Sequence, residues 1–352
     1  MKNKYTETVS VVITTYKRPH FLWEALESIK AQTYTNIEVI VVDDGSSAFT
    51  RDVVTKWRTR MPETFSLHYI WQCNSGPASA RNRGLSIATG EFVLFMDDDD
   101  FMDPHCISHL VDSLRNEKGP AASMGSYANY IGGQPNRKAS PPTALSYDEI
   151  LSSMIGGSWF IPIHGYLFNR PAIEILDLWD TNLTSQEDDD YLLDAAYKGV
   201  KFLPSDMAVV FYRQHSGTRR ATPGKPHETV SAGRKKRLVA DISIREKIFR
   251  KLKTADLHTR FYPSFRVWFK RLQERYHDLL PMHPLSGEMF KWIGVDTKDI
   301  LHLNNEIMLF KKYLPNRMTD FDKSLENSFS DTELRDDSQR HSSEAILQQA
   351  TR

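Results

Sequence analysis

The chain has 352 residues with 45 basic and 45 acidic side chains, so its formal net charge is zero. This balance excludes a general nucleic-acid binder, which needs a basic excess, and a hydrophobic share of 40% is ordinary for a globular protein. The charges are unevenly distributed: residues 1–230 hold 22 basic and 28 acidic side chains, and residues 231–352 hold 23 basic and 17 acidic ones. The net charge of zero therefore results from an acidic excess in residues 1–230 and an equal basic excess in residues 231–352.

Neither a membrane span nor a secretory signal is predicted. The longest apolar runs are far shorter than the ~18–20 residues that cross a bilayer, and the N-terminus lacks the apolar stretch of a signal peptide. The two cysteines, Cys73 and Cys106, cannot build a disulfide framework and lack the spacing of a metal site. We therefore expect a cytoplasmic protein with two reduced thiols.

Residues 9–96 alternate between strand-like and helix-like patterns. Apolar runs predict strands at Val9–Ile13, Ile37–Val42, Leu67–Ile70 and Glu91–Met96, and helical spacing predicts helices at Phe21–Gln32, Arg51–Trp57 and Ala78–Ala88. This alternation predicts an α/β fold with a Rossmann-like, mostly parallel, doubly wound sheet. Ligands bind beyond the carboxyl ends of the strands in such sheets. Three of these ends carry polar clusters, at Thr14–Tyr16, Asp43–Gly45 and Asp97–Asp100.

The second half of the chain is less regular. A loose segment, Gly132–Pro142, and a turn at Pro223–Pro226 interrupt it, and helical patterns dominate after Arg234. One predicted helix face is apolar, with Phe261, Phe265, Trp268, Leu272, Tyr276 and Leu279 at helical spacing. We expect an α/β domain over 1–230, with halves at about 8–105 and 106–230, a helical C-terminal extension over 231–326, and a disordered tail over 327–352.

Four consecutive aspartates, Asp97–Asp100, follow the apolar run that ends at Met96. Such a run is usually a solvated acidic stretch, but carboxylates at a buried strand end lose solvation unless a cation compensates them. In an extended segment Asp97 and Asp99 would project to the same side. Hard divalent cations such as Mg²⁺ and Mn²⁺ take carboxylate oxygens, so the run is either a metal site or a solvated acidic loop.

A set of motifs in this order resembles the family 2 glycosyltransferases of the GT-A fold. The motifs are Val9–Tyr16, Val41–Ser47, Ala80–Leu85, Phe95–Asp100 with Pro104, and Glu187–Leu193 with Gly199 and Tyr212–His215. The similarity covers roughly residues 8–215. It implies that 1–230 is a GT-A catalytic domain. It also implies a metal-dependent, inverting transfer of a hexosyl or N-acetylhexosaminyl group from a nucleotide-diphosphate donor, expected to be a UDP-sugar, to an acceptor hydroxyl in surface polysaccharide or glycolipid synthesis.

The resemblance implies donor-binding roles in the first half. Thr15 and Tyr16 correspond to the segment that lines the nucleotide base, and Asp44 to the carboxylate that accepts a hydrogen bond from the uracil N–H. A carboxylate suits an imide donor, although an aspartate in such a turn is equally suited to cap the next helix. Arg81 corresponds to a diphosphate contact; the alternatives are its neighbour Arg83 in that role, or a surface arginine.

The aspartate run corresponds to the family's Asp-x-Asp element. The resemblance implies that Asp99 and Asp97 bind Mn²⁺ or Mg²⁺, and that Asp97 and Asp98 lie at the donor. The middle residue is often small and polar in the family, so Asp98 leaves open which of the acids ligate. His215 matches a histidine that helps to bind metal or diphosphate in many members, and a structural role is its alternative.

The acidic pair Glu187–Asp188 corresponds to two acids of which the second is the catalytic base. Asp188 would take the proton from the acceptor hydroxyl, and Glu187 would raise the pKa of Asp188 or position the acceptor. The alternative is an acidic helix start that interacts favourably with the macrodipole. Trp159 and His164 fall in the expected acceptor region, where Trp159 is either a sugar-stacking ring or a core residue.

The C-terminal extension is basic, with 14 basic and 4 acidic side chains in residues 234–275. Interleaved basic and apolar residues are typical of a helix at a membrane surface or in a partner groove. Many family members act on lipid-linked acceptors, so we expect a carbohydrate or lipid-linked acceptor and a peripheral contact of 234–275 with the inner face of the cell membrane. The alternative is a helical bundle that covers the catalytic domain.

Two other functions suit an α/β sheet. A sugar-nucleotide nucleotidyltransferase would need a glycine-rich loop after the first strand, whereas Tyr16–Pro19 contains no glycine. A non-catalytic nucleotide-binding scaffold would not need its acids, which are intact at positions 44, 97, 99 and 188. The sequence therefore favours the glycosyltransferase over both alternatives.

Overall fold

The computed structural model of the chain describes residues 7–142, 145–214, 228–277, 279, 280, 285 and 287–295. The chain divides into two compact units, one up to Leu279 and one from Leu280 onwards. The predicted turn at Pro223–Pro226 and the predicted tail at 327–352 lie outside the described residues.

Strands and helices alternate through most of the first unit. The strands are β1 (Val9–Thr15), β2 (Ile37–Asp43), β3 (Ser66–Trp71), β4 (Phe92–Asp97), β5 (Phe101–Met102), β6 (Ala121–Ile131), β7 (Gln134–Ala139), β8 (Tyr166–Asn169) and β9 (Lys201–Gln214). The helices are α1 (Pro19–Lys30), α2 (Ala48–Arg58), α3 (Pro77–Leu85), α4 (Cys106–Leu114), α5 (Tyr147–Ile155), α6 (Arg170–Ile175), α7 (Glu187–Tyr197), α8 (Glu228–Thr254) and α9 (Tyr262–Tyr276), with α10 (Glu288–Trp292) in the second unit.

The described strands join in one sheet, in the order β3-β2-β1-β4-β8-β6-β9-β5, and β7 also pairs with β6. The first four strands of the chain are parallel to one another. The sheet becomes mixed beyond them, because β8 runs antiparallel to both β4 and β6, whereas β6 and β9 are parallel. The predicted α/β fold with a mostly parallel sheet is therefore confirmed.

The central strands β1 and β2 are buried along their whole lengths, as expected for parallel strands with helices on both faces. On one face, Val11 and Ile13 belong to the same core as Leu22 of α1. On the other face α3 approaches closely: a Cβ on Gly84 would lie 2.4 Å from Cγ1 of Val12. Each buried aliphatic side chain contributes about 1.5–3 kcal/mol, and these contacts fix the strand ends that carry the polar clusters.

The segment expected to be loose, Gly132–Pro142, instead contains a strand. Gly132 and Gly133 both have positive φ, 57° and 82°, and they connect β6 to β7 as an antiparallel hairpin. Two residues with positive φ form the turn type that best matches strand twist. The Gly-Gly pair was therefore a hairpin signal inside a segment whose composition suggested a loop.

Helices α8 and α9 pack on the α/β part of the first unit. Between α7 and α8, the Nζ atom of Lys247 lies 2.7 Å from Asp190 and that of Lys251 lies 2.6 Å from Asp194. The predicted apolar face of α9 is confirmed, since its inward side chains are buried: Phe265, Trp268, Leu272 and Tyr276. Two of the basic residues that suggested a surface-binding helix are thus paired with acids of the first 230 residues.

Candidate functional site

The carboxyl ends of three neighbouring parallel strands carry the polar clusters. Thr15 at the end of β1 is in register with Asp43 at the end of β2, and Thr14 is in register with Asp97 at the end of β4. The three clusters therefore lie along one edge of the sheet, as the sequence predicts for a ligand site.

Asp44 organises the loop that leads into α3. Its Oδ1 accepts hydrogen bonds from Gln72 Nε2 and the Ser75 N–H, both at 2.8 Å, and its Oδ2 accepts one from the Gly76 N–H at 2.9 Å. The side chain is buried. It does not cap α2, which begins after Ser47 without a side-chain cap, so the helix-capping alternative is wrong and Asp44 holds the loop 72–76 instead.

Thr15 and Tyr16 have different environments. Thr15 is buried and its Oγ1 donates to Asp98 at 2.6 Å, so its side chain helps to hold the aspartate run in place. Tyr16 is 41% exposed, and the Asp44 N–H donates to the Thr15 carbonyl at 2.9 Å. Thr15 and Tyr16 were both expected to line the nucleotide base, but only the side chain of Tyr16 is exposed.

A turn folds the aspartate run back on itself. The Asp100 N–H lies 3.4 Å from the Asp97 carbonyl, and one carboxylate oxygen each from Asp97, Asp99 and Asp100 lies within 4.8 Å of the others. Three hard oxygen donors at this separation fit a divalent cation such as Mg²⁺ or Mn²⁺. Asp97 and Asp99 are brought together as predicted, and Asp100 joins them because the segment is a turn and not an extended strand.

Asp98 points away from this group into the protein. It is fully buried, and it accepts from Thr15 and pairs with Arg18 at 2.7 Å. Burial raises the pKa of Asp98 to about 7, although Arg18 opposes the rise. A carboxylate so enclosed does not face a donor, so the structure gives Asp98 a supporting position in place of the predicted donor contact.

Two arginines that the sequence analysis gave no role complete the acidic edge. Arg18 spans Asp98 and Asp99, with 2.6 Å from Nη1 to the Asp99 carboxylate. Arg213 donates its backbone N–H to Asp100 at 2.7 Å and its Nε to the Asp99 carbonyl at 2.8 Å. The available signals were weak: Arg18 is a basic residue just beyond a strand end, and Arg213 stands in the Tyr212–His215 motif.

Arg81 connects the aspartate run to the acidic pair. Its side chain is 3% exposed, its Nη2 lies 2.8 Å from Asp97, and its Nη1 lies 2.9 Å from Asp188. The guanidinium also lies over the ring of Trp179, 4.4 Å from the centroid. Burial by itself would lower the pKa of Arg81, but Asp188 and Asp97 outweigh it and raise the pKa, so the residue stays charged. The surface-arginine alternative is wrong, and Arg83 is the exposed residue of the two.

The acidic pair begins α7. Glu187 is buried, while the side chain of Asp188 is 37% exposed beside Arg81. Loss of solvation raises the pKa of Asp188 to about 7; Arg81 opposes this rise, and Asp97 and Glu187 add to it. The preceding Gln186 has the left-handed φ of 59°, an uncommon conformation for a residue with a side chain that often marks functional sites. Asp188 therefore combines partial exposure with a pKa suited to proton transfer near neutrality.

The two expected acceptor residues lie in different places. Trp159 is half-buried, and its Nε1 donates to the Tyr166 hydroxyl at 2.6 Å. His164 is fully buried, with Nδ1 3.3 Å from Asp100, and burial lowers its pKa to about 4. A neutral, fully buried ring is not accessible to an acceptor, so His164 is not an acceptor contact, and it lies beside Asp100 within the protein. His215, the predicted third ligand, lies outside the described residues.

The chain is similar to known glycosyltransferases. Residues 10–181 match the model of the family described as glycosyl transferase family 2. An uncharacterized glycosyltransferase of Nostoc sp. is 32% identical over 173 residues, which cover 47% of this chain and 52% of that protein. The Escherichia coli protein WfaP, a UDP-Glc:alpha-D-GlcNAc-diphosphoundecaprenol beta-1,3-glucosyltransferase, is 27% identical over 222 residues, covering 62% of this chain and 82% of its own length.

Solved structures share the fold. The crystal structure of Staphylococcus aureus TarS 1–349 in complex with UDP-GlcNAc has a TM-score of 0.57 at 19% identity, covering 81% of this chain and 78% of that one. The chain spans only 32–52% of the length of the first curated relatives that it matches. None of the helices in the described parts of the chain is long and apolar enough to cross a membrane.

Proposed function

Because the chain belongs to glycosyl transferase family 2 and has the GT-A fold, we propose that it transfers a sugar from a UDP-sugar donor to an acceptor hydroxyl. The observation that supports this most is the Arg81 bridge, which joins Asp97 at the end of β4 to Asp188 at the start of α7. The Arg81 guanidinium thus connects the partly exposed Asp188 carboxylate to Asp97, one of the acids of the candidate cation site. The name of WfaP includes UDP-Glc, and TarS has been crystallised with UDP-GlcNAc, which supports the choice of donor.

Asp188 is the proposed base of a single displacement. It accepts the proton of the acceptor hydroxyl while that oxygen bonds to the anomeric carbon of the sugar. The bond from the anomeric carbon to the diphosphate oxygen breaks, and its electron pair leaves with UDP. Attack opposite the leaving group inverts the anomeric configuration. Arg81 holds the Asp188 carboxylate in place and limits the rise of its pKa.

Asp97, Asp99 and Asp100 would hold Mg²⁺ or Mn²⁺. A bound divalent cation supplies charge neutralisation at the diphosphate leaving group. Arg81 and Arg18 also pair with Asp97 and Asp99, so a bound cation would share these carboxylates with the two arginines.

The donor base is proposed to lie at the ends of β1 and β2. The exposed ring of Tyr16 would line it, and Asp44 would accept from the uracil N–H with a lone pair that Gln72, Ser75 and Gly76 leave free. In this role Asp44 couples base binding to the loop that begins α3, and Arg81 belongs to α3.

Three measurements test the proposed reaction. Calorimetry with UDP, with and without Mn²⁺, should detect metal-dependent binding, and a screen of UDP-sugars should detect slow donor hydrolysis. With an active acceptor, proton NMR should show the inverted anomer. Absence of UDP binding would refute the proposal, and binding without any turnover would favour a non-catalytic scaffold.

Substitution of Asp188 by Asn tests the base. The amide keeps the shape but cannot accept the proton, so turnover should fall by at least a thousandfold while the Kd of UDP changes less than twofold. Asp99→Ala should have the opposite pattern and weaken metal-dependent UDP binding. If the Asp188→Asn variant retained turnover, the proposed role of Asp188 as the base would be refuted.

The acceptor is proposed to be lipid-linked, with the enzyme held at an anionic membrane at the cytoplasmic face. Lys235, Lys236 and Arg237 at the start of α8 are exposed and form a basic group that suits anionic lipid headgroups. The chain should float with anionic vesicles but not with neutral phosphatidylcholine vesicles, and replacement of these three residues by Gln should abolish flotation. Equal flotation of the triple variant would refute this contact.

A further inference from the structure

A cavity of about 290 Å³ lies between α7 and the helices α8 and α9. Gln186 and Asp189, which flank Glu187–Asp188 in sequence, line one side of it. Arg245 of α8 and Arg271 and Arg275 of α9 line another. Its volume is close to the lower end of the range of small-molecule sites. All of these residues belong to the first compact unit.

The side of the cavity formed by α7 offers a hydrogen-bond acceptor. The Gln186 amide donates to Asp189 at 3.1 Å, and its Oε1 is buried without a hydrogen-bond partner. A buried carbonyl oxygen in this state loses free energy unless a donor reaches it. A sugar hydroxyl is such a donor, and Gln186 lies two residues before the proposed base.

The opposite side carries an excess of positive charge. Arg245 is buried and pairs with Asp241 at 3.1 Å, and Asp241 also accepts from Trp268 Nε1 at 2.9 Å. That acid is therefore already compensated. Arg271 and Arg275 remain, one helical turn apart, with Asp189 as the other acid among the residues that line the cavity.

The guanidinium groups are held where an anion can meet them. Arg271 is half-buried and its Nη1 donates to the Gly156 carbonyl at 3.1 Å, while Arg275 is exposed at the rim. Arginine pairs with phosphate through parallel N–H donors. Between the two sides, Trp159 and Trp268 line the cavity with their Nε1 atoms bonded, so the rings are fixed and the half-buried Trp159 can stack on a sugar.

We propose that this cavity binds a sugar-phosphate portion of the acceptor, with the sugar at Trp159 and Gln186 and its phosphate at Arg271 and Arg275. The inference rests on the proposed function, and it adds that the C-terminal helices select acceptors that carry a phosphate next to the reacting sugar. The phosphate could come from a lipid diphosphate or from a phosphodiester polymer, and the two share the group that the arginines recognise.

The test measures binding of phosphate probes with the donor site blocked by saturating UDP. Tryptophan fluorescence follows titration with inorganic pyrophosphate, a short isoprenyl diphosphate, or a glycerol phosphate oligomer. The unaltered chain should bind at least one probe, and the preferred organic probe identifies the lipid or polymer source. Arg271→Gln with Arg275→Gln should weaken that binding at least tenfold, whereas Lys270→Gln, which removes the same charge from an exposed side chain of α9, should change it less than twofold.

Three results would overturn the inference: no probe binding by the unaltered chain at millimolar concentration, unchanged affinity in the double variant, or an equal loss in Lys270→Gln. Circular dichroism and the Kd of UDP check that the double variant is folded. Should it fail to fold, Arg275→Gln alone serves, because its side chain is exposed, and a loss of at least threefold is expected. Failure of UDP binding refutes the proposed function, whereas UDP binding without probe binding refutes this inference alone.

Discussion

Replacing Arg81 with Gln should destabilise the protein and move its pH dependence. The guanidinium is 3% exposed and compensates Asp97 and Asp188 at 2.8 and 2.9 Å. Removing one partner of a fully buried pair costs about 3–5 kcal/mol, and exposed pairs contribute only about 0–1 kcal/mol. The two carboxylates are 34% and 37% exposed, so water compensates them in part, and we expect a loss of about 2–3 kcal/mol in the free energy of unfolding.

The same substitution should raise the pKa of Asp188 further, because Arg81 is the group that lowers it. A base acts when it is deprotonated, so the acid limb of kcat/KM, expected near pH 7 in the unaltered enzyme, should move to higher pH. Turnover at pH 7 should fall and recover partly at pH 9. The turnover of the Arg81→Lys variant at pH 7 should lie between those of the unaltered enzyme and of Arg81→Gln. One ammonium keeps the charge but does not span both carboxylates as a guanidinium fork does.

Urea denaturation followed by tryptophan fluorescence measures the stability change, and a pH–rate profile measures the limb. Arg83→Gln is the matched control, because it removes the same charge from an exposed position of the same helix. Unfolding free energies of the Arg81→Gln and Arg83→Gln variants that agree within about 0.5 kcal/mol, or an acid limb that stays in place, would refute the assignment of Arg81 as the charge that holds Asp188.

Two further predictions concern packing and thiol access. Gly84→Ala should lower the free energy of unfolding by about 1–3 kcal/mol, because the new Cβ would meet Val12 Cγ1 at 2.4 Å; Gly119→Ala, with no atom within 4 Å of its Cβ, should change it by less than about 0.5 kcal/mol in urea denaturation. A chromogenic thiol reagent should label Cys73 rapidly and Cys106 only after unfolding, since Cys73 is exposed whereas Cys106 is buried and burial raises its pKa; two fast thiols would contradict the packing of α4.

Strands β1, β2 and β4 were predictable because they are mainly apolar runs that are buried along nearly their whole lengths. The run Ile37–Val42, for example, predicts a buried strand, and β2 contains all of it. In contrast, β7 consists of polar residues, Gln134–Ala139, whose structure comes from pairing with β6. Pairing between strands is not encoded in the periodicity of either one, so composition alone suggested a loop.

The residues of the candidate site were also only partly predictable from the sequence. The acids Asp44, Asp97, Asp99 and Asp188 were found because they follow apolar strands or start a helix in a recognisable order. Arg18 and Arg213 were not, since a guanidinium at the end of a long side chain reaches partners far along the chain, as Arg18 does with Asp99. Asp98 and His164 were predicted to contact the donor and the acceptor because of their positions in the sequence. Their side chains are fully buried, which the sequence does not reveal.

The Lys247–Asp190 and Lys251–Asp194 pairs between α7 and α8 also bear on how this protein can be shortened. A version cut before α8 would keep all the strands that the structure describes and the acidic pair, yet it would expose the apolar face of α7. Asp190 would lose its partner Lys247, and Asp194 would keep only Lys198. Such a fragment would aggregate or unfold although the whole family-like sequence is present. We therefore expect a stable piece of this chain to extend at least through Lys251 of α8.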